Sequence, residues 1–323
     1  MNEVIIIKSK EKLKISSLKK LTLHKFQINL SDNALGVPWR VPVIILRGKN
    51  KGPCMGITAA VHGNELNGIP TIFKLIDKIN LSKLSGTLAL LPIVNVPGYL
   101  LNQRNFIDNI DLNRIMPGKP NGNPSEIFSH LICTKVVKQF DYHLDLHTAS
   151  VGRINSLYIR ADIDNPVARK LAYLQNPQII VKKYDETGTL RAWANENNIP
   201  SITIEIGNPN AFQHKLIDET LHGILNTLKY LKMIPGKHQN LIEDASVCDR
   251  SFWINTSRGG IVDVHVGLTQ KIKKNQKLAT VYDVFGNQKE ILTSPENGIV
   301  IGKNTNPNCD AGTRIVHLGV DFL

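Results

Sequence analysis

Four consecutive residues, His62-Gly63-Asn64-Glu65, stand directly after an apolar strand-like run and directly before a helix-like one. A histidine and a glutamate three positions apart at such a junction can turn both side chains to one metal ion, and Gly63 permits the tight backbone this needs. Asp145-Leu146-His147, at the end of a later apolar run, offers a third ligand. Two histidines and one carboxylate leave a fourth position open for water, the pattern of a catalytic zinc, here one Zn2+ per chain. Alone, an HxxE pair is as compatible with a chance surface pair. The DLH at a strand end, in a chain with only ten histidines, turns the reading to metal. Asp145 lies two residues before His147 and faces the same side of its strand, where it can hydrogen-bond a ligand histidine. His143 shares that face as an alternative ligand, although burial within the sheet is its plainer role.

Hydrolysis at such a metal needs a base for the attacking water and donors for the developing oxyanion. Glu205, in Thr203-Ile204-Glu205-Ile206-Gly207, is the best base candidate. A carboxylate in an apolar strand is costly unless it is paired or lies at the strand's mouth, so a structural ion pair is the competing role. Gln103-Arg104-Asn105-Phe106 and Asp111-Leu112-Asn113-Arg114 place two arginines and an asparagine in a polar loop after another apolar strand. A guanidinium grips a carboxylate bidentately, so the loop suits anion binding, with a solvated surface as its alternative.

These residues must be carried by an alternation of strands and helices. Residues 41–48, 54–63, 87–95, 142–148 and 201–207 read as strands, several without polar alternation, as expected when both faces of a sheet are covered. Residues 69–79 read as a helix with Ile69, Ile72, Phe73, Ile76 and Ile79 on one face and Pro70 in its first turn. A second amphipathic helix lies within 211–233. PGKHQN (235–240) breaks the pattern, and short strands with turn signals follow. Two units are expected: an α/β domain over 1–236 and a small all-β domain over 237–323.

The 323 residues, 42% hydrophobic and 20% charged, are ordinary for a globular chain. No apolar run approaches the roughly 20 residues of a membrane helix. The start, with Glu3 and only Val4–Ile7 apolar, is too short for a signal-peptide core and reads as an opening strand of a cytoplasmic protein. Cys54, Cys133, Cys248 and Cys309 share no short spacing and read as buried reduced thiols. The net charge of +12 is spread over scattered lysines with aromatics at only 6%, which argues against a nucleic-acid groove. A positive field would draw small carboxylates towards a cleft.

HGNE, the NxPGY of Asn95–Tyr99, DLNR with Pro117-Gly118, DLHT and TIEIG occur here in the order found in the succinylglutamate desuccinylase/aspartoacylase family, which this chain resembles over about residues 40–235. Gly152–Asn155, Arg160–Asp162 and Gly188–Arg191 are similar to its less characterised bacterial branch. The resemblance implies a mixed sheet with flanking helices, like that of the zinc carboxypeptidases, and a small C-terminal β domain that caps or rims the active site. It implies His62, Glu65 and His147 as zinc ligands and Glu205 as the base that activates water and returns the proton to the leaving amine. It implies Arg104 as the group polarising the scissile carbonyl, and Asn113 and Arg114 as the pair holding the substrate carboxylate. The expected reaction is hydrolysis of an amide in a small N-acylated amino acid or related carboxylate; cleavage of peptide C-termini is the alternative. Acyl group, side chain, pathway and any homo-oligomer stay open, as do Arg153, Arg160 and Arg191, each an anion contact or a surface ion pair. The segment from Gly259 to Val300 also resembles a biotinyl/lipoyl hammerhead. Lys271, Lys273 and Lys274 fall at a turn, but no Met-Lys-Met is present.

Overall fold

The computed structural model describes residues 4–8, 11, 13–183, 187–239 and 245–322. Glu3 lies outside them; Val4–Ile7 is the expected opening strand.

A long mixed sheet organises the chain. Its centre is parallel: Ser85–Leu91, Asn50–Ala59, Tyr142–His147 and Ser201–Ile206 lie side by side in that order. These are the strands read as continuous apolar runs, and their side chains are indeed buried on both faces. On one face, Ile57, Leu144, Leu146, Ile202 and Ile204 meet the helices Gly68–Lys78, Pro166–Leu174 and His214–Tyr230 through Ile72, Leu171, Ile224 and Leu228. On the other, Ala89 and Leu91 meet the helices Pro124–Lys135 and Leu190–Glu196 through Phe128, Ile132 and Trp193. Full burial of each such side chain contributes about 1.5–3 kcal/mol, which holds the strand edges rigid. One expectation fails in detail. Phe73 is 48% exposed, and the buried face of its helix runs through Ile69, Ile72 and Leu75. The helix opens at Gly68, and Ile76 and Ile79 pack against the same core as expected, so only Phe73 turns away from it.

Beyond Ser201–Ile206 the sheet continues through Leu157–Ala161, which is antiparallel to it, and then Ile179–Lys182. Ser246–Asn255 pairs in parallel with Ile179–Lys182 and leads the C-terminal segment into the same sheet, followed by Arg314–Phe322 and Gly298–Asn304. Gly260–Val264, Lys277–Tyr282, Gln288–Thr293 and Asn308–Cys309 form a separate four-stranded sheet. A short strand, Arg153–Asn155, leaves the loop after His147 and pairs with Gly298–Asn304, so the C-terminal segment grips the loop beside the end of the Tyr142–His147 strand. All four cysteines are free; Cys133, Cys248 and Cys309 are buried and Cys54 is half-buried. Among the described residues no helix is long and apolar enough to cross a membrane.

Candidate metal and active site

Strand register assembles the site. Side chains alternate across a strand, so His143, Asp145 and His147 share one face. The parallel pairing sets Asp145 opposite Thr203 and His147 opposite Glu205. On the far side Thr203 faces Arg160, and Glu205 faces Tyr158. Two polar rows therefore cross three strands on one face, while Leu144, Leu146, Ile202 and Ile204 fill the opposite core.

His62 and Glu65 enter from the turn after Asn50–Ala59. Gly63 is needed there, but for packing: a Cβ would lie 2.0 Å from the Gly98 carbonyl carbon and 2.2 Å from the Tyr99 nitrogen. The HGNE turn thus presses against the NxPGY turn. Asn95 caps that turn by accepting from the Gly98 N–H at 2.9 Å and also reaches the Arg104 carbonyl. Two motifs distant in sequence are one packed unit.

The expected ligand atoms converge. His62 Nδ1 lies 2.9 Å from one Glu65 oxygen, His147 Nδ1 lies 2.9 Å from the other, and the two Nδ1 atoms are 3.2 Å apart. All three side chains are buried. Each outer ring nitrogen faces a carboxylate: His62 Nε2 reaches Asp111 at 2.9 Å and His147 Nε2 reaches Asp145 at 2.8 Å. A carboxylate only accepts, so with a cation bound between them each Nε2 would carry the proton and each Nδ1 would turn its lone pair to the ion; without one, the Nδ1 atoms are in hydrogen-bond reach of Glu65. Two imidazole Nδ1 atoms and a buried carboxylate meeting at one point form a donor set for a divalent cation, and these residues fit zinc.

Without a cation the charges fall on the protein. Burial opposes ionisation of Glu65, yet the His62 charge and hydrogen bonds from His147 and His62 hold its carboxyl far below the usual range. Burial likewise opposes charging His147, but Asp145 and Glu65 raise it well above an ordinary histidine.

Asp111 is the hub that motif reading left without a role. Its Oδ1 caps the Leu112–Arg114 turn through the Asn113 N–H at 2.9 Å and also meets His62. Its Oδ2 receives Arg104 Nε at 3.1 Å and Nη2 at 2.8 Å. The legible signal was an aspartate opening a turn, a capping position whose second oxygen is free for other work. Arg104 also donates from Nη1 to Glu65 at 2.8 Å and to Ser150 at 2.9 Å. Asn113 Oδ1 accepts from the Leu190 N–H at 2.8 Å, and Arg114 donates to the Asn113 carbonyl at 2.9 Å.

Glu205 sits in the same cavity, 8% exposed. One oxygen receives Arg160 Nε at 3.1 Å and faces the Tyr158 hydroxyl at 3.3 Å; Oε2 is buried without a partner. The ion pair weighed against a base is present, but inside the cavity and on one oxygen only. His143 is not a ligand here: both ring nitrogens are engaged, by Thr58 and by Ser201, each at 2.8 Å. Thr58 also donates to Asp145 at 2.6 Å.

The cavity, about 440 Å³, gathers His62, Glu65, Arg104, Asn113, Arg114, His147 and Glu205. Arg153, Arg160 and Arg191 line it too, and Trp253, Arg314 and His317 close one side from the C-terminal segment.

Known proteins agree with this architecture. The rhodobacterial protein described as succinylglutamatedesuccinylase/aspartoacylase, from Rhodobacter sphaeroides, superposes with a TM-score of 0.81 at 20% identity, covering 93% of this chain and 95% of its own. The product-bound ectoine utilization protein EutE (DoeB) from Ruegeria pomeroyi also gives 0.81, at 19% identity over 92% and 94%. N-alpha-acetyl-L-2,4-diaminobutyric acid deacetylase from Halomonas elongata is 22% identical over 273 residues, 80% of this chain and 79% of that protein. Residues 51–231, more than half of the chain and including every expected ligand, match the model of the succinylglutamate desuccinylase/aspartoacylase catalytic domain, and the chain belongs to that family.

Proposed function

We propose that this protein is a zinc-dependent deacylase that hydrolyses the amide bond of a small N-acylated amino acid or related carboxylate. The observation that carries the reading is the convergence of two imidazole Nδ1 atoms and the Glu65 carboxylate in the cavity that Glu205 also lines, with Glu205 Oε2 left without a partner. The Halomonas relative, named for deacetylation of N-acetyl-2,4-diaminobutyrate, supports the reaction class.

His62, Glu65 and His147 would hold the ion. Zinc bound there supplies Lewis acidity, which makes water a nucleophile near neutral pH and polarises a carbonyl. Glu205 lines the cavity and its Oε2 has no hydrogen-bond partner, so this carboxylate would accept a proton from the attacking water and deliver it to the departing nitrogen. Arg160 holds the other oxygen and so fixes the carboxylate's orientation. Arg104 presents a charged donor beside Glu65, where the acyl oxygen becomes negative as the carbonyl is attacked. Asn113 and Arg114, on a turn capped by Asp111, receive the substrate's carboxylate. Trp253, Arg314 and His317 favour small substrates over peptides, because they rim the cavity from the C-terminal segment. A panel of N-acetyl, N-succinyl and N-formyl amino acids beside short peptides tests the reading. Turnover confined to the acyl amino acids supports it, and turnover confined to peptides replaces it with a carboxypeptidase.

A further inference from the structure

Behind His147, further back along the central strands, four fully buried polar side chains take no direct part in the reaction described above: Asp145, Thr58, His143 and Ser201. Register sets them out. Asp145 pairs with Thr58 on the strand Asn50–Ala59, and His143 pairs with Ser201 on the strand Ser201–Ile206. His143 also stands opposite Gly56, where a Cβ would collide with the Phe140 ring. That ring lies 6.0 Å from the His143 ring, so the imidazole meets carbon there and finds its polar partners only along the row.

Four contacts join the row to the expected ligand. His147 Nε2 lies 2.8 Å from Asp145 Oδ2, and Asp145 Oδ1 lies 2.6 Å from Thr58 Oγ1. Thr58 Oγ1 lies 2.8 Å from His143 Nε2, and His143 Nδ1 lies 2.8 Å from Ser201 Oγ. The protons on this line have one arrangement. Two oxygens 2.6 Å apart need a proton between them, and a carboxylate has none to give, so Thr58 donates to Asp145. A hydroxyl has a single proton, so Thr58 can only accept from His143, whose proton is therefore on Nε2. Burial, against the pull of the Asp145 charge, pushes the His143 imidazole down to about 4, so the ring is neutral and Nδ1 accepts from Ser201. Donation thus runs from Ser201 through His143 and Thr58 to Asp145. With Oδ1 occupied from this side, Asp145 is left Oδ2 for the His147 ring.

We infer that Thr58 is a positioning residue for the metal: oriented by His143 and Ser201, it holds the Asp145 carboxylate, which holds the His147 ring with Nδ1 aimed at the place of the ion. The inference rests on the metal reading above and extends it to side chains that do not line the cavity. A ring fixed before the ion arrives has less freedom to lose on binding it, so the relay acts on metal affinity.

Zinc affinity, read by competition with a chromophoric chelator, tests this without any substrate. Thr58→Val keeps the shape of the side chain and removes its proton, and should weaken binding roughly tenfold, the low end for loss of an outer partner of a ligand. Thr58→Ser restores the hydroxyl and should bind zinc as the wild type does. The effect should also pass through Asp145. In an Asp145→Asn background Thr58→Val should change the affinity little, whereas a general loosening of the core would weaken binding by the same factor in both backgrounds. Nitrogen-15 shifts of the zinc-loaded wild type read the relay without any loss of stability: the His143 signals, assigned by their absence from His143→Gln, should show a protonated Nε2. Wild-type affinity in Thr58→Val, no rescue by Thr58→Ser, equal effects in the two backgrounds, or a bare His143 Nε2 overturns the relay and leaves the metal site standing. A wild type that takes up no zinc overturns both.

Discussion

His147 and Glu205 occupy paired positions on neighbouring parallel strands, Tyr142–His147 and Ser201–Ile206. The separation between the candidate ligand and the candidate base is therefore set by strand spacing, about 4.8 Å between backbones, rather than by a loop. Both strands are buried on their opposite face by the leucine and isoleucine core, so neither residue can shift without repacking it. The groups expected to meet substrate, Arg104, Asn113 and Arg114, come from the loop and turn between strands. Chemistry is placed on the rigid sheet and recognition on adaptable connections, which is how one fold can keep its reaction while changing its substrate.

Zinc should bind at about one equivalent per chain, and His147→Ala should lose most of it. Elemental analysis after desalting reads this directly. Full retention by the variant would move the metal elsewhere. His143 is a poor refuge, because both its nitrogens are already bonded.

Asp111→Asn keeps the shape of the turn cap but weakens three contacts at once, to His62 and twice to Arg104. An amide at this place no longer fixes the proton on His62 Nε2. Zinc affinity, measured by competition with a chromophoric chelator, should fall roughly 10–100-fold. Unchanged affinity with a lowered melting temperature would reduce Asp111 to a turn cap.

Much of this site was legible because strand periodicity does the assembling. Once 142–148 and 201–207 read as strands, His147 and Asp145 had to share a face, and Glu205 needed only register to join them. Register itself was not legible: no local pattern says that His147 stands opposite Glu205 or that Tyr158 flanks it. Asp111 escaped for a related reason. Its partners, His62 and Arg104, are 49 and 7 residues away, and only folding brings all three to one carboxylate. The continuation of the main sheet into Ser246–Asn255 was hidden too, because it depends on which edge an all-β segment meets. Turn signals mark where strands end but carry no pairing information.

The two arginines of the polar loop should separate in kinetics. Arg114→Ala removes a contact made equally in ground and transition states and should mainly raise KM. Arg104→Ala removes a donor whose contact strengthens as charge grows on the acyl oxygen and should mainly lower kcat. Its bonds to Glu65 mean that zinc content must be measured in the same samples. Equal KM effects with kcat untouched in both variants would refute the division.

Stability should fall with acidification partly through His317. Its native pKa lies well below the ordinary 6.5, owing to burial and then the surrounding Arg160, Lys183, Arg314 and Arg153 charges. The unfolded chain therefore binds a proton that the native one refuses. This contribution is flat above about pH 6.5 and turns increasingly unfavourable as pH drops from there towards the native pKa. In urea denaturation, His317→Phe should show a shallower loss of stability over that window. An unchanged slope would mean that His317 takes its proton in the folded state.

Glu205→Gln decides the mechanism. The amide keeps the size of the carboxylate and its contact with Tyr158, and no expected zinc ligand is touched, so the metal should stay bound. It cannot take a proton from water. A positioned general base is worth roughly 10²–10⁴-fold, and the same group must also protonate the leaving nitrogen, so the loss in kcat belongs at the upper end. Arg160 would lose its charged partner on Glu205 Oε1, so some stability goes as well. The competing role predicts the reverse balance: if Glu205 served only to neutralise Arg160, melting temperature would drop while the folded fraction kept its turnover. Zinc content, melting temperature and kcat from one preparation separate the two. Arg160→Met adds a control, since it breaks the ion pair but leaves the carboxylate, and should cost far less turnover than Glu205→Gln. Comparable losses in the two variants would mean that the pair, rather than the free Oε2, is what the reaction needs.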